Sequence, residues 1–193
     1  MSTDDPTTTS PSSPGTRAQA VRRAVRELEA HVASGGWDGP VRVFALVNTH
    51  AALGRDPGLA TALGPDVVEA ATRDPEHLTA VEQEQLPDAD SLEGLLGRIA
   101  WPPSVDGAAV VVERLVVPPE AEAAAPRDPD AALAYLQEHP DRRELRMAAG
   151  VLRDGTGACA VRARDHDEDD RVAVGGPELV PGLVSAVAAT LDG

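Results

Sequence analysis

The sequence predicts an α+β fold, with a mostly antiparallel four- to five-stranded sheet packed against helices and a helix at each end of the domain. Three observations predict it. Apolar residues recur at helical spacing near both ends, Val-rich runs mark two buried strands, and a hairpin pattern lies between residues 144 and 164. Regular alternation of strands with helices is absent, which argues against a doubly wound parallel sheet.

Residues 1–15 are Ser, Thr, Pro, Asp and Gly with almost nothing apolar, the composition of a disordered tail, leaving 16–193 as a single domain. The first helix follows, with Val21, Val25, Leu28 and Val32 on one face. Arg22, Arg23, Arg26 and Glu29 fall on its other faces, and Ser34-Gly35-Gly36 ends it. Val41 to Val47, broken only by Arg42, reads as a buried strand. Asp56-Pro57 reads as the start of a short helix that Gly64-Pro65 closes. Leu78 to Gln85 reads as an edge strand, with Thr79-x-x-Glu82 as a helix-capping alternative.

Asp90-x-x-Glu93 reads as a capping box ahead of Leu92, Leu95, Leu96 and Ile99, and Trp101-Pro102-Pro103 stops that helix. Ala108 to Val117 is the strongest strand, and residues 118–128 read as a connector. Asp128-Pro129 opens a helix that His139-Pro140 ends. The hairpin runs from Glu144 to Arg153, turns at Asp154-Gly155 and returns from Ala158 to Arg164. Leu183, Val184, Val187, Ala188 and Leu191 form the apolar face of a last helix, with Pro181 in its first turn.

Composition narrows function mainly by exclusion. The net charge is −15, and the chain has two Trp, one Tyr and one Phe. Phosphate backbones and anionic lipid are repelled by such a charge, and base-stacking platforms are scarce, so neither nucleic acid nor membrane is an expected partner. Every basic residue is Arg, which removes lysine Schiff-base and P-loop chemistry. The lone Cys159 permits no intramolecular disulfide and no cysteine zinc cluster. No apolar run is long enough to span a bilayer and the first residues lack a signal-peptide pattern, so a cytoplasmic location is expected.

Two stretches carry candidate chemistry. Asp165, His166 and Asp167 open the acidic run 165–170, whose alternating carboxylates resemble the beginning of a calcium loop. The match fails at Asp170, where Gly is needed, and at Gly176, where a bidentate Glu is needed. A charge run leaving a strand is more simply a solvated loop. Glu113 and Arg114 interrupt the strongest strand, and neighbouring strand residues face opposite sides. Either one of them is a buried polar anchor in a groove, or Arg114 lies on a solvent face beside Arg146 or Arg162 while Glu113 pairs at the sheet edge. Cys159 reads as a small buried residue, because no pattern supplies it with a base.

A set of phrases spans nearly the whole chain after the tail. They include Phe44-Ala-Leu-Val, Val81-Glu-Gln-Glu, Ala100-Trp-Pro and Val111-Val-Glu-Arg-Leu-Val-Val-Pro-Pro-Glu-Ala-Glu. His139-Pro-Asp-Arg, Leu152-Arg-Asp-Gly, Arg162-Ala-Arg-Asp-His-Asp and Gly176-Pro-Glu-Leu-Val-Pro-Gly-Leu complete it. In these the sequence resembles a family of actinobacterial proteins of uncharacterised function that carries a locus-tag name. The resemblance implies a cytosolic bacterial protein and transfers no activity, cofactor or site residue. The chain has Ala80 where that pattern has Pro. The expected function is a non-enzymatic interaction module without cofactor, acting on a protein partner or as a homodimer. Its rival is a small metal-binding protein or enzyme built on the 165–170 loop.

Overall fold

The computed structural model describes residues 14–192. Most of the expected tail therefore lies outside the described residues, and helix α1 (Pro14–Ala33) already begins at its last two positions. The sheet has six strands rather than four or five, all antiparallel, in the order β2-β1-β3-β4-β5-β6. They are β1 (Arg42–Asn48), β2 (Leu78–Glu82), β3 (Gly107–Val116), β4 (Arg143–Leu152), β5 (Gly157–Ala163) and β6 (Ala173–Gly175). The additional strand is β6, three residues long. Its length gives alternation no room to show, and it forms only because the open edge of β5 is there to pair with.

Three helices, α2 (Thr49–Arg55), α3 (Leu59–Leu63) and α4 (Pro65–Arg73), link β1 to β2. Helix α5 (Leu92–Leu96) precedes β3, α6 (Pro119–Ala124) and α7 (Pro129–Glu138) connect β3 to β4, and α8 (Pro181–Ala189) ends the fold. Pattern and structure differ here in small, explicable ways. The cap of α5 is Ser91, whose side chain accepts from the Gly94 amide, instead of Asp90. The short helix expected from Asp56-Pro57 begins at Leu59, because the Asp56 carboxylate turns back onto the Gly58 amide. Thr79 and Glu82 lie in an edge strand and cap nothing.

Both faces of the sheet are covered, which is why β3 and β4 read as almost unbroken apolar runs. On one face α1 lays Val21, Val25, Leu28 and Val32 against Phe44, Leu46, Ala109, Val111, Ala148 and Ala160. On the other, α5, α8 and the residues just after α8 pack Leu95, Leu96, Val184, Val187 and Leu191 over Val43, Val110, Ala149, Val151 and Cys159. Small residues in the middle of the sheet let α1 approach closely. A Cβ on Gly150 would stand 2.8 Å from Val25 Cγ1 and 3.5 Å from Val21 Cγ1.

Arg153, just after β4, fastens the second layer. Its guanidinium donates to the carbonyls of Val105 (2.9 Å), Trp101 (3.0 Å) and Leu191 (2.5 Å). One side chain thereby ties the hairpin turn to the chain before β3 and to the residues that follow α8. Trp101 itself donates from Nε1 to Thr190 Oγ1 at 2.9 Å.

Because β-branched Val25 has little rotamer freedom in a helix, Gly150→Ala should cost about 1–3 kcal/mol of stability, measured by chemical denaturation. Val25→Ala in the same chain should recover part of that loss.

Candidate functional site

Alternation along adjacent strands puts three charged residues in a row across the sheet. In the ladder Glu113 stands opposite Arg146, and Arg146 opposite Arg162. All three side chains point to the α1 face, where α1 delivers Glu29. Glu29, Arg146 and Arg162 are 1%, 0% and 2% exposed. Glu29 thus belongs to the buried face of α1, contrary to its expected place on an outer one. An isolated buried charge is costly, so every one of these groups has found an opposite.

Arg162 and Glu29 form a two-pronged pair, Nε to Oε1 at 2.6 Å and Nη2 to Oε2 at 2.8 Å. The other prongs of Arg162 reach into the acidic loop, to the Asp167 carbonyl and Asp169 Oδ1, both at 2.8 Å. Arg146 donates from Nε and Nη2 to Glu113 Oε1 at 3.0 and 2.7 Å, and from Nη2 to the Gly36 carbonyl. Its Nη1 lies 3.6 Å from Glu29 Oε1, beyond hydrogen-bonding distance.

The segment after α1 closes over this cluster. Trp37 stacks with its ring centroid 4.3 Å from the Arg146 guanidinium and 5.5 Å from that of Arg164, and Nε1 donates to Asp167 Oδ2 at 3.0 Å. Asp38 adopts φ +68°, which presents its amide to Glu113 Oε2 at 2.7 Å and its carboxylate to both Nη atoms of Arg164. That pairing holds the Asp38 carboxyl below its ordinary pKa. Glu144 joins Arg164 from the other side at 2.6 Å.

Each sequence-marked residue can now be placed. Arg114 does not lie beside Arg146 or Arg162. It is on the opposite face, 3.8 Å from Glu93, and Glu113 pairs inside the sheet instead of at its edge. Both carboxylate oxygens of Glu113 are occupied. In the acidic run, Asp165 faces Arg143 at 3.6 Å, whereas Asp167 turns inward to Arg162 and Trp37. His166 is exposed in the turn after β5. Of this run, Asp167 and Asp169 take the guanidinium of Arg162 as their counter-charge. Among the described residues no group of three His, Cys, Asp or Glu side chains is arranged to hold a metal ion. Cys159 sits on the α8 face, away from the acidic loop, and burial pushes its thiol up to about 11.

Beside the cluster lies an open groove of about 450 Å³. Trp37, Leu115 and Leu133 supply its apolar walls, with Glu113, Arg114, Arg142 and Arg164 among its polar ones. A second groove, of about 350 Å³, runs between α5 and α8 and is lined by Leu92, Val112, Met147, Leu179 and Leu183. Arg114 lines both. Sequence reading marked Arg114 but missed the grooves, because the helices that form them are far apart along the chain.

A family model described as PPA1309-like protein matches residues 21–192, which takes in every strand and all of the site. The chain belongs to that family. Neither a curated protein nor a solved structure matches it. The match extends from Val21 in α1 to three residues beyond α8, so the charged row and the segment closing it both lie within the family's span.

Removing one member of a buried charged set leaves the others uncompensated. Glu29→Ala should therefore lower stability by about 3–5 kcal/mol in urea denaturation. Replacing Glu29, Arg146 and Arg162 together with Leu, Met and Met should cost less than Glu29→Ala alone. Cys159 should resist alkylation in the native protein at pH 8 and react only as fast as the chain unfolds, followed by mass spectrometry.

Proposed function

We propose that the protein is a non-enzymatic interaction module that docks a protein partner along the grooves at the end of β3 and the start of β4. The observation that carries this reading is α7. None of its residues is buried, and Leu133, 54% exposed, overlooks the groove beside Trp37 and Leu115. An apolar helix left standing off its own sheet is surface available to another chain. Leu179, at the second groove, is 42% exposed.

The chemistry of the charged side chains supports the same reading. Both oxygens of Glu113 are already hydrogen-bonded, and the Cys159 thiol is buried and held in its protonated form. A metal held by Asp165, His166 and Asp167 would have to draw Asp167 away from Arg162 and Trp37. The single buried thiol suits a reducing, cytoplasmic setting. Among the described residues no helix is long and apolar enough to cross a membrane.

A photo-reactive amino acid placed at position 133, 179 or 55 in the native host tests the reading. Arg55, in α2, lies at the other end of the sheet from the grooves. The expected result is one protein adduct shared by positions 133 and 179 and absent at 55. Failure to form an adduct, an identical set from all three positions, or a stoichiometric divalent ion in the purified protein would overturn the proposal.

A further inference from the structure

We infer that the chain forms a two-fold symmetric homodimer in which β2 pairs antiparallel with β2 of a second copy, joining the two six-stranded sheets into one. The surface is distinct from the grooves, and the inference stands apart from the docking reading above.

The direction of the backbone bonds defines the edge. The Gln83 amide donates to the Val43 carbonyl, and the His77 carbonyl accepts from the Thr49 amide. Odd-numbered residues of this segment therefore bond to β1, and the amides and carbonyls of Leu78, Ala80 and Glu82 point away from it. Among the described residues nothing bonds those outward groups. Such an edge is a template for another strand unless charge, proline, a bulge or extreme shortness blunts it. Strand β2 has no Pro and no Arg, and its register with β1 runs without a bulge. Its one charged residue, Glu82, is held by two prongs of Arg42. The opposite edge, β6, is only three residues long.

The side-chain rows point to a second copy as the occupant. Across the sheet Val151, Ala108, Ala45 and Val81 stand opposite one another in turn. The first three are buried, and the row ends in the open at Val81, 48% exposed. A two-fold axis at Val81 sets this residue against its own copy and continues the row with the same residues in reverse order. Val81 then holds a non-hydrogen-bonded position on the new ladder, where facing side chains lie closest. In that register Ala80 and Glu82 exchange hydrogen bonds across the axis, Thr79 faces Gln83, and Leu78 faces Glu84. Both Glu82 and Glu84 thus meet neutral residues, as a self-complementary interface between acidic chains requires. An axis at Ala80 would instead set Glu84 against Glu76. No residue of β2 lines either groove, so the dimer leaves both open and presents them in duplicate.

Sedimentation equilibrium of the full-length protein tests the dimer. The mass should rise from that of one chain towards that of two between about 5 and about 500 µM, since a single strand pair buries less than a standard interface. Each chain carries a net charge of −15, so raising salt from about 50 to about 500 mM should strengthen association several-fold. Val81→Lys and Val81→Glu should each weaken it at least tenfold and should pair with each other when mixed. Thermal unfolding of dilute Val81→Lys should match that of the unaltered chain, because Val81 is exposed. In Val81→Cys, oxidised glutathione should link two chains by a disulfide, because Cα atoms facing at about 4.5 Å are within its reach. Thr79→Cys and Gln83→Cys should link only when mixed. A single-chain mass under all these conditions would overturn the inference, even with a strand of another protein on the edge. So would a dimer that Val81→Lys leaves intact, or linkage at position 81 no faster than at 79 or 83 alone. Adducts at positions 133 and 179 report on the grooves separately, so either proposal can fail without the other.

Discussion

The two-pronged ion pair between Glu29 and Arg162 is the constraint on which the rest of this molecule depends. It joins the first helix to the fifth strand inside a layer otherwise made of Val, Leu and Ala, and neither charge can be left there alone. Arg146 shares Glu29 and recruits Glu113, and Arg162 recruits the acidic loop. Trp37 and Asp38 then close the row from above. The register of α1 on the sheet, the path of the chain after α1 and the fold of residues 165–169 all follow from satisfying one buried carboxylate. Apolar packing alone would hold α1 against the sheet without fixing where along the sheet it stops.

That arrangement explains why charges that look reactive in one dimension are quiet in three. Glu113 interrupts a Val-rich strand because Arg146 lies opposite it, and Asp167 and Asp169 crowd together because they share a guanidinium. Arg114, Arg142, Leu133 and Leu179 lie apart from that row and line the grooves at the end of β3 and beside α8.

What could be read directly from the sequence was whatever local periodicity determines. The Val-rich run over 108–117, the Asp154-Gly155 turn, the Asp128 cap and the apolar faces of α1 and α8 each declare themselves within a short stretch of chain. The elements that escaped are those defined by neighbours. Strand β6 is too short to show alternation, and α6 follows Pro118 in a stretch that reads as a connector. Helix α2 takes its cap from Asn48, the last residue of β1, so it starts where the strand stops, with no Gly or Pro between them to announce it. The burial of Glu29 escaped for the same reason, since nothing near it in sequence announces a partner 133 positions away. Arg114 was visible as an anomaly, but its grooves are assembled from α5, α7 and α8.

The separation between Glu29 and Arg162 also sets a timetable for synthesis. Helix α1 leaves the ribosome first, with its apolar stripe formed and its inward-facing carboxylate lacking a counter-charge. Both arginines that neutralise it are made far later, Arg162 133 positions on, so α1 cannot settle on a finished sheet until almost the whole chain has emerged. Through that interval Val21, Val25 and Leu28 remain in water as a sticky surface, and Glu29 among them keeps the nascent helix hydrated. A residue whose charge has to be taken out of water in the finished fold is, before the fold exists, a solubilising gatekeeper.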